Sequence, residues 1–393
     1  MTQRFSHGKR APLALPALLA LLALPASGQS PPKPDATYWV YVGAESADLI
    51  HRIRFGPEGA VVEKTIAVGE IPTEMEGPHG LQISRDGRFL HMTTGHGSPY
   101  GKYWKFEVGP DTLVGTPIPL GSFPASIDVT PDGLYAFAVN FNLHGDMIPS
   151  SVSVVFVPTN TEVARITTCT MPHGSRLDPA GTRQYSACMM DDQLVEIDAS
   201  RFEVARRFSL KRGDERPLAA DDQGHGVHTK PGTRMPPATC SPTWAQPSAD
   251  GSKVYVACNK ADEVVEIDAG QWTIARRFKT GRGPYNLGVT PDGKYLVVTL
   301  KPGAGVQVFD LGTGVVVFTA KSTTTVTHGV AISPDSRYAF VSSEAVGAQP
   351  GKVDIYDLGA LRQVASVEVG QQAGGIAFWR MEPVNARGVP ARP

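Results

Sequence analysis

The sequence predicts an all-β protein, a seven-bladed β-propeller of four-stranded antiparallel blades closed by pairing N-terminal strands with a C-terminal strand. Three observations carry this. A turn signal recurs as SRDG at Asp86, TPDG at Asp132, DPAG at Ala180, SADG at Asp250, TPDG at Asp292 and SPDS at Asp335. Successive steps are 46, 48, 70, 42 and 43 residues, a blade's length in all but one case. Four short strand patterns fit between consecutive turns, and strand fragments lacking a turn of their own stand at both ends.

Residues 1–28 read as a secretory signal peptide: Arg4, Lys9 and Arg10, an apolar run from Ala11 to Ala26, then the small residues Ala26, Ser27 and Gly28. The apolar run is short and broken by Pro12, Pro16 and Pro25, which disfavours a retained membrane span. Residues 29–36 form a linker, and the propeller is expected over 37–380. Each unit has a short apolar strand before its turn (80–84, 329–333), then an aromatic or β-branched strand (134–139, 295–299). A third strand ends in a carboxylate (264–269, 306–311), and a fourth resembles VARRFSL. Residues 38–68 supply three strands, and AGGIAFW at 373–379 is an innermost strand without successors. Joined, they complete a seventh blade and remove the open sheet edges. The tail 381–393 is rich in Pro and Arg and carries no strand pattern.

Three of the 37 basic residues and none of the 38 acidic ones fall in the signal, so the exported chain has 34 basic against 38 acidic residues, a formal charge of −4. Phosphate binding needs a concentrated basic face, so nucleic acid is not the expected partner. No Gly-rich phosphate loop, HExxH helix, EF-hand loop or Gly-X-Ser-X-Gly elbow is present.

Three repeats carry a histidine seven residues before the turn: His79, His173 and His328. That position is the entry of the innermost strand, which lines the axial channel, and the other repeats hold Ala125, Thr243 and Tyr285 there. Histidine is therefore no requirement of the blade. His96 and His144 follow their turns by ten and twelve residues, at strand exits on the same face. An insertion at 211–239, expected as a loop over the channel mouth, adds His225 and His228. Seven of ten histidines thus map to one face, whereas His51 and His91 read as strand residues. Imidazoles without many carboxylates suit a late transition metal: copper first, with iron or zinc as alternatives. Glu76, Asp146, Asp221 and Asp222 are candidates to orient imidazoles from behind. Tyr100, Tyr103 and Trp104 are expected to roof the channel, Trp244 and Tyr285 to stack on an organic substrate. Lys301 and Glu344, nine residues after their turns, supply a polar wall or proton donor.

The segment YVACNKADEVVEIDAGQWTIARRFKTGRGPYNLGVTPDG, with its Tyr-Val-X-X-Asn strand, resembles the YVTN repeat family of seven-bladed propellers over essentially the whole exported chain. That family includes surface, binding and enzymatic proteins. The histidine-lined hub is similar to the propeller of nitrous oxide reductase, where copper sits at the hub, and more distantly to carotenoid-cleavage oxygenases, whose four propeller histidines hold iron. These resemblances imply a hub metal and no particular reaction.

The four cysteines fall in two neighbouring repeats. Disulfides Cys169–Cys188 and Cys240–Cys258 are expected in an oxidising compartment. A strict hairpin register places Cys188 opposite His173, however, and so leaves open a second reading in which Cys188, with Met189 or Met190, is a soft copper ligand. The function these residues point to is an exported, periplasmic or secreted copper oxidoreductase acting on a small molecule or with an electron-transfer partner. The alternatives are a non-catalytic binding or scaffold propeller, and a lyase or lactonase using one hub histidine as base with a hard divalent ion.

Overall fold

The structure, a computed structural model, describes residue 2 and residues 33–96, 100–222 and 237–384. The expected signal peptide beyond Thr2, His225, His228 and the end of the tail lie outside these residues. The chain divides after Pro32, and the unit Lys33–Pro393 carries all the strands described here.

Seven antiparallel sheets form the ring, six of them built in chain order from the axis outward. Their innermost strands are Pro78–Ile83, Pro124–Val129, Pro172–Leu177, Pro242–Pro247, Pro284–Val289 and Thr327–Ile332. In the seventh sheet Ala373–Pro383 is innermost and pairs with Ala36–Ala44, followed outward by Leu49–Gly56 and Gly59–Ala67. The closing strand thus reaches four residues past Trp379. Val40, Tyr41 and Val42 face Phe378, Ala377 and Ile376 across this seam, and the Tyr38 hydroxyl donates to Asp335 at 2.8 Å from the neighbouring blade. Tyr38, Phe55, Tyr338 and Phe340 pack between the closing blade and its neighbour.

Burial falls outward along each blade. Tyr338–Ser343, a second strand, is buried at all six positions, while the outermost Val316–Lys321 alternates half-buried and exposed. Alternating Val, Ile, Phe and Tyr side chains fill the space between blades, and the cores are accordingly inter-blade clusters. Among the described residues helical structure is limited to three single 3-10 turns, Glu45–Ala47, Val157–Thr159 and Asn259–Ala261.

The turn signature has a local cause. In four turns a Ser or Thr hydroxyl donates to the Asp two residues on, as Ser84 to Asp86 and Thr130 to Asp132 (both 2.6 Å), and that Asp accepts a backbone N–H beyond. The residue after the Asp is left-handed, hence Gly87 (φ 69°) and Gly133 (φ 73°).

Two expectations are corrected. The insertion, expected as a loop over the channel mouth, begins with a strand instead: Arg216–Leu218 pairs with Arg207–Ser209 as a fifth strand on the outer edge of its blade, satisfying an otherwise open ladder. Cys188 faces Pro172, not His173, because the hairpin shifts register between Pro172 and Ser175. The disulfides Cys169–Cys188 and Cys240–Cys258 both form and no free cysteine remains, so the thiolate reading of Cys188 falls. Such bonds belong to an oxidising environment. None of the described residues form a helix long and apolar enough to cross a membrane.

With sequence separations of 19 and 18, each bridge constrains the unfolded chain by about 3 kcal/mol. Replacing either pair by alanines is expected to lower the urea-unfolding free energy by about that amount, with the two losses adding in the quadruple variant.

Candidate metal centre at the propeller hub

Each blade delivers its inner strand to the axis in the same way. The residue two before the hub position is left-handed: Gly77, Phe123, Met171, Ser241, Gly283, Val326 and Gln372, with φ between 49° and 67°. Five of these are not glycine, at a cost of order 1 kcal/mol each, and the β-branched Val326 is the least suited to it. Each carbonyl at this point accepts a hydrogen bond of 2.8–3.3 Å from the residue that follows the blade's second strand: Gly95, Phe141, Met189, Asn259, Lys301, Glu344 and Glu45 in the same blade order. The inner hairpin then bulges. Between Pro78 and Gly80, and at the matching place in the other first hairpins, two residues oppose one. The bulged residue is the hub residue, and the bulge turns its side chain toward the axis.

Two rings result. The first holds His79, Ala125, His173, Thr243, Tyr285, His328 and Gly374; the second holds Glu45, Gly95, Phe141, Met189, Asn259, Lys301 and Glu344. Gly374 matters by omission: a Cβ there would lie 2.4 Å from Glu45 Oε1, so the missing side chain admits the glutamate.

His79, His173 and His328 converge. Their rings lie 6.0 Å (His79 to His173) and 5.5 Å (His79 to His328) apart, and all three are buried. Their roles differ. His79 Nδ1 donates to the Ala125 carbonyl at 2.6 Å, which orients the ring and leaves Nε2 facing Glu45 Oε1 at 3.7 Å. His173 Nδ1 donates to the Thr243 carbonyl at 2.9 Å, and its Nε2 accepts from the Tyr285 hydroxyl at 3.0 Å. His328 is 3% exposed and makes at most one loose hydrogen bond, to the Gly374 backbone of the next blade, so at least one of its ring nitrogens is without a partner. Its Nε2 lies 3.6 Å from Glu344 Oε1, and Glu344 is paired with Lys301 at 2.6 Å. One donor atom from each of Glu45, His79 and His328 lies within 4.8 Å of the others.

The electrostatics favour neutral imidazoles at His173 and His328. Burial, reinforced by His79 and Lys301, pushes the His173 pKa down to about 3. Burial also holds His328 well below the ordinary value, with the Lys301 charge adding to the effect. Burial opposes the Lys301 charge, but Tyr285, Glu344 and Glu45 around it hold the ammonium above its usual pKa. Burial raises Tyr285, which stays a phenol. A neutral imidazole is the form that binds a metal.

The remaining expected residues divide. His96 joins the site through Glu45 Oε2 at 3.8 Å and the Phe123 ring at 4.9 Å, and the exposed His144 stacks outside it at 5.7 Å. The expected orienting carboxylates do other work. Glu76 Oε1 accepts the backbone N–H groups of Glu70 and Ile71, closing its own loop. Asp146 is exposed and engages Asn142 through its backbone carbonyl. Asp221 and Asp222 act on the buried Arg207 guanidinium of the outer blade. Tyr100 is exposed and sits near Arg165, away from the hub. Tyr103 and Trp104 are buried strand residues of the blade core. Trp244 packs near His173, with ring centroids 6.5 Å apart, and its indole occupies the space where Gly174 has no side chain.

Sequence reading missed Glu45. Lys301, Glu344, Asn259, Met189, Phe141 and Gly95 all lie nine residues after a turn, the Asn position of the repeat. Glu45 occupies that position in the blade split between the termini, which has no preceding turn from which to count.

The described hub is that of a seven-bladed β-propeller whose axis carries an imidazole and carboxylate cluster. No protein-family model matches the chain, and no curated protein matches it. Solved structures similar to it include hydrazine synthase from Kuenenia stuttgartiensis, 20% identical over 79% of this chain and 92% of that one (TM-score 0.58). A functionally unknown protein from Desulfotomaculum acetoxidans is 15% identical over 87% and 98% (0.64), and the Cps50 (Swd1) β-propeller domain of Myceliophteria thermophila is 14% identical over 83% and 97% (0.60). At these identities the likeness is one of fold.

Buried neutral histidines make stability depend on acid. His173 and His91, both held near 3 when folded, take a proton at about 6.5 when unfolded. Between those values the unfolded chain binds more protons, so stability is full above about pH 6.5 and falls as pH drops toward 3. Each imidazole contributes up to about 1.4 kcal/mol per pH unit. Urea midpoints of metal-free protein at pH 7.5, 5.5 and 4.5 are expected to decrease in that order.

Proposed function

We propose that this chain is an exported metalloprotein that holds one transition-metal ion at the propeller hub through Glu45, His79 and His328. The single observation that carries the reading is the convergence of three buried donors, Glu45, His79 and His328, within 4.8 Å of one another, with at least one His328 ring nitrogen left without a hydrogen bond. Buried polar groups in folded proteins are hydrogen-bonded, and an imidazole nitrogen without such a bond marks a missing partner. Metal bonds of about 2.0–2.2 Å require the three donors to close by roughly an ångström, a side-chain adjustment. Two imidazoles and one carboxylate suit ferrous iron or zinc as well as copper. Copper is preferred for a histidine set poor in carboxylates; with Glu45 in the donor set and the Cys188 thiolate lost to a disulfide, iron becomes the first choice. Such a triad leaves coordination positions open, which supports redox chemistry on a small molecule bound between the Tyr285–His173 pair and the Lys301–Glu344 pair. Export into an oxidising compartment is supported by the two disulfides and the signal-like sequence at 1–28.

The hydrogen bond from Tyr285 to His173 favours one second reading, in which this pair moves a substrate proton and the ion polarises the same substrate. The redox and lyase readings separate on the metal: only the first needs an ion that changes oxidation state.

Metal-free protein titrated anaerobically with ferrous iron, and separately with zinc and copper(II), is expected to retain one equivalent per chain after desalting, measured by elemental analysis. Glu45→Gln should weaken retention at least tenfold, His79→Ala with His328→Ala should abolish it, and Gly374→Ala should act like Glu45→Gln by displacing the carboxylate. Wild-type protein that retains none of the three ions would overturn the proposal.

A further inference from the structure

Three residues beyond the hub position, about 10 Å along the axis at 3.3 Å per residue, the inner strands form a further ring at the other mouth of the channel. It holds one cation, Arg176, one anion, Asp128, and two amides, Gln82 and Gln246. The corresponding residues of the next blades are Gly288, Ala331 and Ala377, and their small size leaves a cavity of about 220 Å³ beside Arg176.

Arg176 is under-committed for so enclosed a charge. Its Nη1 donates to the carbonyls of Ser175 (3.0 Å) and Ile127 (3.3 Å), and its guanidinium lies 4.6 Å from the Trp244 ring. Among the described residues Nε and Nη2 donate to nothing, and no carboxylate stands within ion-pair distance. Asp128 is already taken: it accepts from Gln82 Nε2 at 2.6 Å, from the Leu177 N–H at 2.8 Å and from the Val129 N–H at 2.9 Å. Enclosing a charge without a counter-ion is costly, and a guanidinium with a free edge matches a carboxylate through two parallel hydrogen bonds.

We propose that this mouth is a second ligand site, taking a small monocarboxylate with a short apolar tail on Arg176. The free edge of the guanidinium receives the carboxylate, with the Gln246 amide alongside. The apolar walls, Leu287, Val330, Ile332, Ile376 and Phe378, receive the tail. The cavity is smaller than the 300–1,000 Å³ usual for larger organic ligands, which limits the tail to a few carbons. The site is separate from the histidine hub. Trp244, packed against both His173 and Arg176, narrows the space between them: the cavity that His79, His328, Trp244 and Arg176 line together is only about 20 Å³, room for one water.

The test is isothermal titration of the full exported chain with sodium butyrate, with inorganic phosphate as a probe of charge alone. Wild-type protein is expected to bind one butyrate per chain saturably. Arg176→Gln and Ala331→Leu, the latter filling the cavity while keeping the charge, should each weaken binding at least tenfold. His79→Ala with His328→Ala should leave it unchanged, which distinguishes this site from the metal centre. If Arg176→Gln does not fold, as judged by circular dichroism, Ala331→Leu decides. No saturable binding by the wild type, equal binding by the folded variants, or phosphate binding as tight as butyrate overturns the assignment.

Discussion

The chemistry of this protein depends on a backbone constraint repeated seven times: a left-handed residue, then a bulge, at the point where each inner strand meets the axis. The left-handed residue turns its carbonyl toward the N–H that leaves the second strand, and that bond ties strand entry to strand exit in every blade. The bulge then places one extra residue opposite a single partner and aims its side chain into the channel. Without it, strand alternation would send half of these side chains into the space between blades. Five non-glycine residues bear the conformational cost, and the packing of blade on blade sustains it.

On that frame the hub is asymmetric. Phe123, Phe141 and Met171 form an apolar wall with Met189 and Met190 against it, whereas Glu45, Lys301 and Glu344 form a charged one. His79 and His173 have one nitrogen fixed by a carbonyl of the next blade, so their orientations follow from ring closure itself. His328 is held more loosely, by the Gly374 backbone of the next blade. The blade that follows it supplies Gly374 at the hub position, and the space left there belongs to Glu45. The carboxylate and the loosely held imidazole therefore meet where the two ends of the chain join, so the closure of the ring and the assembly of the candidate centre are one event.

The axis also separates two environments. Trp244, seated in the space left by Gly174, narrows the axis between the histidines and Arg176 to a cavity of about 20 Å³ that both line. One mouth gathers neutral imidazoles around carboxylates; the other holds a guanidinium among amides and small residues. The rotational repeat allows this because each blade contributes one residue per ring and no ring needs a particular side chain for the blade to fold.

Much of this was legible in one dimension. The spacing of Asp86, Asp132, Ala180, Asp250, Asp292 and Asp335 determined the blade count, because most of these turns are stabilised by a hydroxyl, a carboxylate and a left-handed residue in that order. It also placed His79, His173 and His328 on one axis, and the fragments at the two ends determined how the ring closes. The pairing of Cys169 with Cys188 was legible from compartment and spacing, though its register was not. Tertiary structure alone decided the rest. A bulge changes which residues face each other without changing composition, so the partner of Cys188 and the aim of each histidine could not be counted from a turn. Glu45 lies 34 positions before His79 but 283 before His328, and it became a neighbour of His328 only when the N-terminal strands closed the ring on Ala373–Pro383, since proximity between such distant residues is a property of closure and not of any local pattern.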